Sequence, residues 1–167
     1  YIFIKKIFKV LVFGFSTFSS AATLPLNLDT TNKELGVDRQ IASFVLPLGM
    51  TINMDGTAIM QVVATLFIAG CGGYDVTVVQ LVIIMVLALI ASMGTPAAPG
   101  AGAVILFTIL SGVGFTGEQA LIAYTLILAI NRPIEMLVTS LNCVGDALTA
   151  IAVGKSEGKL DEDIYNS

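Results

Sequence analysis

Residues 42–70, ASFVLPLGMTINMDGTAIMQVVATLFIAG, carry a single charged side chain, Asp55. A run this long and this apolar can cross the hydrocarbon core of a bilayer, which takes about 20 helical residues. In that solvent every backbone N–H and C=O must find a partner inside the protein, and a helix supplies those partners within one segment. Composition points the same way: 56% of residues are hydrophobic and 12% charged, where a soluble domain carries about 25% charged residues. The mean hydropathy is +0.91. So little charge cannot cover a water-facing surface, and the chain reads as an all-α membrane protein. The net charge of −4 carries less information, because most acidic groups sit near the ends and in short connections. No basic patch interleaved with aromatics is present, which argues against nucleic acid as a partner. The absence of histidine excludes imidazole chemistry and histidine-ligated metals. Cys71 and Cys143 match no metal or redox spacing and read as small apolar residues.

The basic residues set the topology. Lys5, Lys6 and Lys9 lie at the start, Lys33 and Arg39 in the 32–40 connection, and Lys155 and Lys159 in the tail; only Arg132 lies elsewhere. Loops rich in Lys and Arg stay cytoplasmic. The start, the 32–40 connection and the tail at 153–167 are therefore expected inside, and the regions near 71–80 and 111–120 outside. Residues 41–70 and 119–152 would then each cross once. Residues 10–31 and 81–112 would each leave one side and return to it, and neither is long enough for two full spans. Each is expected to be a re-entrant hairpin with its tip inside the membrane. The first tip is FSSAATLP. The second is GTPAAPGAG, within SMGTPAAPGAGA. Irregular backbone at that depth is tolerated where protein or a water-filled cavity satisfies it. The order hairpin then span, twice over and from opposite sides, predicts an inverted repeat. The opening YIFIKK has its lysines after an apolar tract, unlike a signal peptide. It is expected to be the tail of an earlier element, with the chain the C-terminal part of something longer.

The last apolar segment carries a polar stripe. Asn131, Glu135, Thr139, Asn142, Asp146 and Thr149 fall within an arc of roughly 80° on a helix. Ionisable groups at membrane depth are costly and face a cavity or a partner. Arg132 lies off the arc, before Pro133, and is expected at the helix's outer end with its guanidinium at the interface; an ion pair with Glu135 is open to it. Asp55 and Asp146 have no cation near them in sequence. Each would take up a proton or bind a cation. Asn53, Asn142, hydroxyls and loosened carbonyls are hard oxygen ligands, which suit Na⁺ better than a soft metal. Discontinuous helices around a midplane ion and solute mark secondary transporters.

In this order, SSAATLP, LPLGMTINMDGTA, GTPAAPGAG and SLNCVGD resemble the transport core of the sodium-coupled dicarboxylate and amino-acid symporters, the glutamate transporter family. The resemblance covers nearly the whole chain and implies a C-terminal core without the earlier helices. It implies one sodium site from the carbonyls of Gly49, Asn53 and Asn142 with the Asp146 carboxylate. A second would use carbonyls of Thr51, Ser92, Met93 and Thr95. A third would use Asn53 and Asp55, completed by an earlier helix. Solute would lie near Ser19, Ser20, Thr57, Ala98, Gly102, Thr139 and Asn142, under a gating second hairpin, in a homotrimer embedded in lipid.

Two departures bear on the solute. Where acidic-amino-acid members of that family carry a substrate-binding arginine, this sequence has Val138. Where they carry the aspartate that holds the substrate amine, it has Glu135. An unpaired second carboxylate beside Val138 would be costly. The expectation is therefore a sodium-driven symporter of a small, neutral amino acid, with Glu135 on the ammonium, Asn142 on the carboxylate and Val138 bordering the side chain. The alternative is an acidic amino acid or C4-dicarboxylate whose charge is met by Arg132 or by the missing part. An ion channel is a further alternative, since broken helices and carboxylates also line pores. No covalent chemistry, and so no enzyme, is implied. The expected location is the plasma membrane, multi-pass, with a cytoplasmic C-terminus.

Overall fold

The computed structural model describes residues 2–167. Among them are nine helices and one isolated antiparallel bridge, between Val37 and Leu160. In chain order the helices are α1 (Ile2–Thr17), α2 (Ser20–Lys33), α3 (Arg39–Ile52), α4 (Asp55–Gly72), α5 (Val78–Met93), α6 (Ala101–Val113), α7 (Glu118–Ile130), α8 (Arg132–Ser156) and the short α9 (Glu162–Asn166).

α1 and α2 pack against each other about a two-residue turn, Phe18–Ser19. The turn is tighter than FSSAATLP implied. Residues 20–25 are helical, and Pro25 lies inside α2. The ladder of helical bonds has already begun at the Thr23 N–H, which donates to the Ser19 carbonyl, so Pro25 leaves the Ala21 carbonyl without its usual donor. Ser19 caps α2 by accepting from the Ala22 N–H, and Phe18 takes a positive φ of 39° to turn the chain. The first arm includes residues from Ile2 onward rather than from near residue 10, so IFIKK is part of α1. α5 and α6 form a second packed pair, joined by the non-helical residues 94–100.

α3 and α4 are separated at Asn53–Met54, so the run that carries Asp55 is interrupted at the amide and carboxylate. The segment 119–152, expected as one span, is also interrupted. α7 ends at Ile130 and α8 starts at Arg132. Pro133 is the physical reason: it cannot donate to the preceding turn, and it sits at the start of α8, where that loss is harmless. A continuous helix over 119–152 would also have run about 50 Å, well beyond a bilayer's hydrocarbon thickness.

α8 is the hub, contacting α1, α2, α3 and α4. It lies close to α1 at Gly14, where a Cβ would be in van der Waals contact with the Ser140 Cα at 3.5 Å. Ser140 Oγ donates to the Leu11 carbonyl at 3.0 Å. Buried Asn27 of α2 donates to the Cys143 carbonyl at 2.8 Å. Small residues and buried polar bonds of this kind hold helices together where lipid removes the hydrophobic drive. A second apolar cluster, including Ile68, Ile84, Leu106 and Leu110, joins α4, α5 and α6. Phe44, Val63 and Val78, by contrast, point outward and are more than 60% exposed.

The start, the 32–40 connection and the tail meet. Asp38 N–H donates to the Lys159 carbonyl and Asp161 N–H to the Gly36 carbonyl. Lys6 donates to the carbonyls of Glu34 and Tyr165, and Lys9 pairs with Glu34. α3 and α4 lead from this cluster to another, where Tyr74 stacks on Phe115 at 4.6 Å and accepts from the Gly117 N–H at 2.9 Å. Seven of the eight basic residues thus belong to the chain segments of the first cluster, Lys155 among them paired with Glu162.

Candidate functional site

The three helix interruptions and the second tip face one another. A cavity of about 30 Å³ lies among them, bordered by Phe18 and Ser20 from the first tip and Thr95, Ala98 and Gly100 from the second. Thr57 and Gly102 line it from α4 and α6, and Glu135, Val138, Thr139 and Asn142 from α8. That space holds about one or two waters. A solute the size of an amino acid requires the tips to part. Their contact is light: Ser19 Oγ donates to the Ala97 carbonyl at 2.9 Å.

Asn142 organises the floor. Its Oδ1 accepts from the Gly56 N–H at 2.9 Å, and its Nδ2 donates to Thr57 Oγ1 at 3.1 Å. Gly56 is required for this approach, because a Cβ there would lie 3.1 Å from that same Oδ1 and from the Val138 carbonyl. Gly102 plays a similar part on α6: a Cβ would meet Met60 and Thr57 at 3.2 and 3.3 Å. Met54, from the interruption itself, sits with its sulfur 3.5 Å from Asn142 Nδ2.

Below the floor, Asp146 is 2% exposed. Its Oδ1 accepts from Asn53 Nδ2 at 2.8 Å. Gly49 lets the carboxylate lie directly against the backbone of α3, where a Cβ would come within 2.5 Å of Oδ1. The break after α3 leaves carbonyls of that helix's last turn without a helical donor, although that of Gly49 still accepts from the Asn53 N–H at 2.7 Å. A carboxylate, an amide and free carbonyls are a hard, all-oxygen donor set. Among the described residues no three acidic or thiol side chains cluster as a transition-metal site would require.

The expected sodium residues are only partly brought together. Gly49, Asn53 and Asp146 converge, with Asn142 one turn away on α8. Asp55 is exposed and opens α4, where the helix dipole favours a carboxylate; among the described bonds nothing ties it to Asn53. Thr51 is exposed, with its hydroxyl on the Leu48 carbonyl. Ser92 and Thr95 are buried but bond their own helix, and Met93 is exposed. α3 and α5 do touch. The polar stripe holds from Asn131 to Asp146, all buried or half-buried; Thr149 falls outside it, exposed and bonded to the Gly145 carbonyl of its own helix.

Arg132 is where expectation and structure differ most. With α7 ahead of it, it is not at the outer end of a long helix but at the α7–α8 break beside both tips. Its Nη1 lies 3.4 Å from Glu135 Oε2, and its guanidinium carbon 5.4 Å from the centre of the Phe18 ring.

A model of the sodium:dicarboxylate symporter family matches residues 1–156. The chain belongs to the sodium:dicarboxylate symporter family. Similar family members include an excitatory amino acid transporter of Caenorhabditis elegans, 38% identical over 96% of this chain and 31% of its own length. Human excitatory amino acid transporter 5 is 39% identical over 89% of the chain and 26% of its length. Rat excitatory amino acid transporter 4 is 38% identical over 90% and 26%. The chain thus spans between a quarter and a third of the length of these family members. The family's description is that of symporters, which are embedded in membranes.

Phe18, Met54 and Gly100 border the cavity but escape a reading of the sequence alone. An aromatic, a thioether and a glycine in apolar context carry no polar signal. Met54 could have been found from its place between Asn53 and Asp55.

Proposed function

We propose that this chain is the C-terminal transport core of a sodium-coupled symporter for an acidic amino acid or related dicarboxylate. The neutral-solute expectation finds no support among the similar family members, which are named for excitatory amino acids, and the family's own description names dicarboxylates. The observation that carries the reading is the stacking of two sites on α8. Glu135 and Asn142 face the cavity between the tips, and Asp146, one turn below Asn142, meets Asn53 and Gly49.

In this reading Glu135 takes the solute's ammonium, and Asn142 with the tip N–H groups takes its α-carboxylate. Sodium sits between Asp146 and the carbonyls of Gly49, Asn53 and Asn142. Further ions would use Thr51, Ser92, Met93 and Thr95, and Asn53 with Asp55. The α1–α2 and α5–α6 pairs are re-entrant hairpins of an inverted repeat, the second acting as gate. The start, the 32–40 connection and the tail are cytoplasmic, in a plasma-membrane homotrimer. Sodium and solute both favour closed tips, so each raises the other's affinity. Calorimetric titration of the full-length protein with aspartate tests this. Affinity should rise at least tenfold between sodium-free and sodium-containing buffer; equal affinity in both would refute the linkage.

A further inference from the structure

The cavity's charge is poorly balanced for a dicarboxylate. Among the described residues Glu135 is the only acidic group that borders it, and Val138 offers no cation. An amino acid with a second carboxylate would leave that charge unpaired beside an apolar wall, at a cost of several kcal/mol. One cation lies in reach. Arg132 contacts Glu135 at 3.4 Å and Phe18 of the first tip at 5.4 Å. At Gly100 of the second tip, a Cβ would be 3.7 Å from its Nη1. Three residues that border the cavity therefore surround one guanidinium. Its side chain is 59% exposed while that of Glu135 is 9% exposed, so the arginine can swing and the glutamate cannot.

We propose that Arg132 is the specificity-determining residue for the solute's second carboxylate, through an exchange of ion pairs. Without solute, Arg132 is the counter-ion of Glu135. When an acidic amino acid enters, its ammonium replaces the guanidinium on Glu135, and the released guanidinium pairs with the side-chain carboxylate. Two ion pairs form where one was broken, and the remaining α-carboxylate is met by Asn142 and the tip N–H groups. The planar fork of arginine can hold that carboxylate through two bonds while still lying over the Phe18 ring. Gly100 matters here because its backbone, held at a φ of +85°, lies beside the guanidinium, where even a Cβ would already be in van der Waals contact with it. Arg132 then serves as a contact between solute and both tips, which links recognition of the second carboxylate to their closure.

This inference rests on the proposed symport and is tested separately from it. Full-length protein, Arg132→Gln and Arg132→Lys would be reconstituted, and sodium-driven uptake of aspartate compared with that of asparagine, which has the same shape without the charge. The wild type is expected to prefer aspartate. Arg132→Gln should lower the aspartate-to-asparagine ratio at least tenfold while keeping asparagine uptake, and Arg132→Lys should keep the ratio within about threefold of wild type. An unchanged ratio in Arg132→Gln would overturn the proposal, as would equal loss of both solutes in both variants, which would mark Arg132 as structural. Absence of any sodium-driven uptake by the wild type would instead overturn the symport reading.

Discussion

Gly49 shows how a missing atom can position a charge. The Asp146 carboxylate fills the space that a Cβ on Gly49 would need. Gly49→Ala is therefore expected to push Oδ1 away from α3 and to destabilise the protein by about 1–3 kcal/mol, as overpacking does. It should also raise the sodium concentration for half-maximal solute binding at least tenfold. A sodium requirement unmoved by this change would show that Asp146 is not a ligand. A structural counterpart is Asn27, which is 2% exposed and bridges the Cys143 carbonyl and the Thr31 hydroxyl. Asn27→Ala strands a buried hydroxyl and should cost about 1–3 kcal/mol in thermal unfolding, with the sodium requirement unchanged. The sequence revealed Asn53, Asn142 and Asp146 readily, because polar groups in apolar runs stand out. Gly49 enters only through the family resemblance, and for its carbonyl; neither the role of its missing side chain nor Phe18 can be read, because both depend on which helix lies opposite.

The interruptions matter more than the helices between them. Apolar length and the distribution of lysine and arginine were enough to find every apolar tract, and the glycines and prolines of GTPAAPGAG marked the second tip to within a residue or two. The break at Asn131 was missed because the polar periodicity continues through it in register, from Asn131 to Glu135, and a regular stripe reads as a regular helix. Pro133 was the signal, and a length of about 50 Å for an unbroken 119–152 was the contradiction. The first tip was overestimated for the opposite reason: Ser, Ala and Thr look like loop residues but accept a helix once Ser19 caps it. Mobility should concentrate at the second tip. Gly100 caps α6 with a φ of +85°, a conformation that costs an L-residue about 1–2 kcal/mol. Gly100→Ala is expected to weaken apparent solute affinity about three- to tenfold, with sodium-free thermal stability lowered by no more than that cost. Unaltered affinity would remove the tip from the gating account.

On the scale of the whole chain, two clusters of connections cap the helices. The start, the 32–40 connection and the tail are bound to one another by Lys6, Asp38 and Asp161. The ends of α4 and α6 are bound by Tyr74 and Phe115. Positive charge gathers on the first, as expected of segments kept on one side of a membrane. Between them the chain buries two carboxylates, Glu135 and Asp146, at 7% and 2% exposure, on a helix with an apolar exterior. The account holds that captured sodium keeps such a buried charge affordable and that the sodium gradient drives solute movement. Its most direct test is the accumulation of labelled aspartate by full-length protein in liposomes, with an inward sodium gradient or with choline replacing sodium at unchanged pH. Accumulation above the outside concentration is predicted with the sodium gradient alone; equal accumulation in choline would contradict the account.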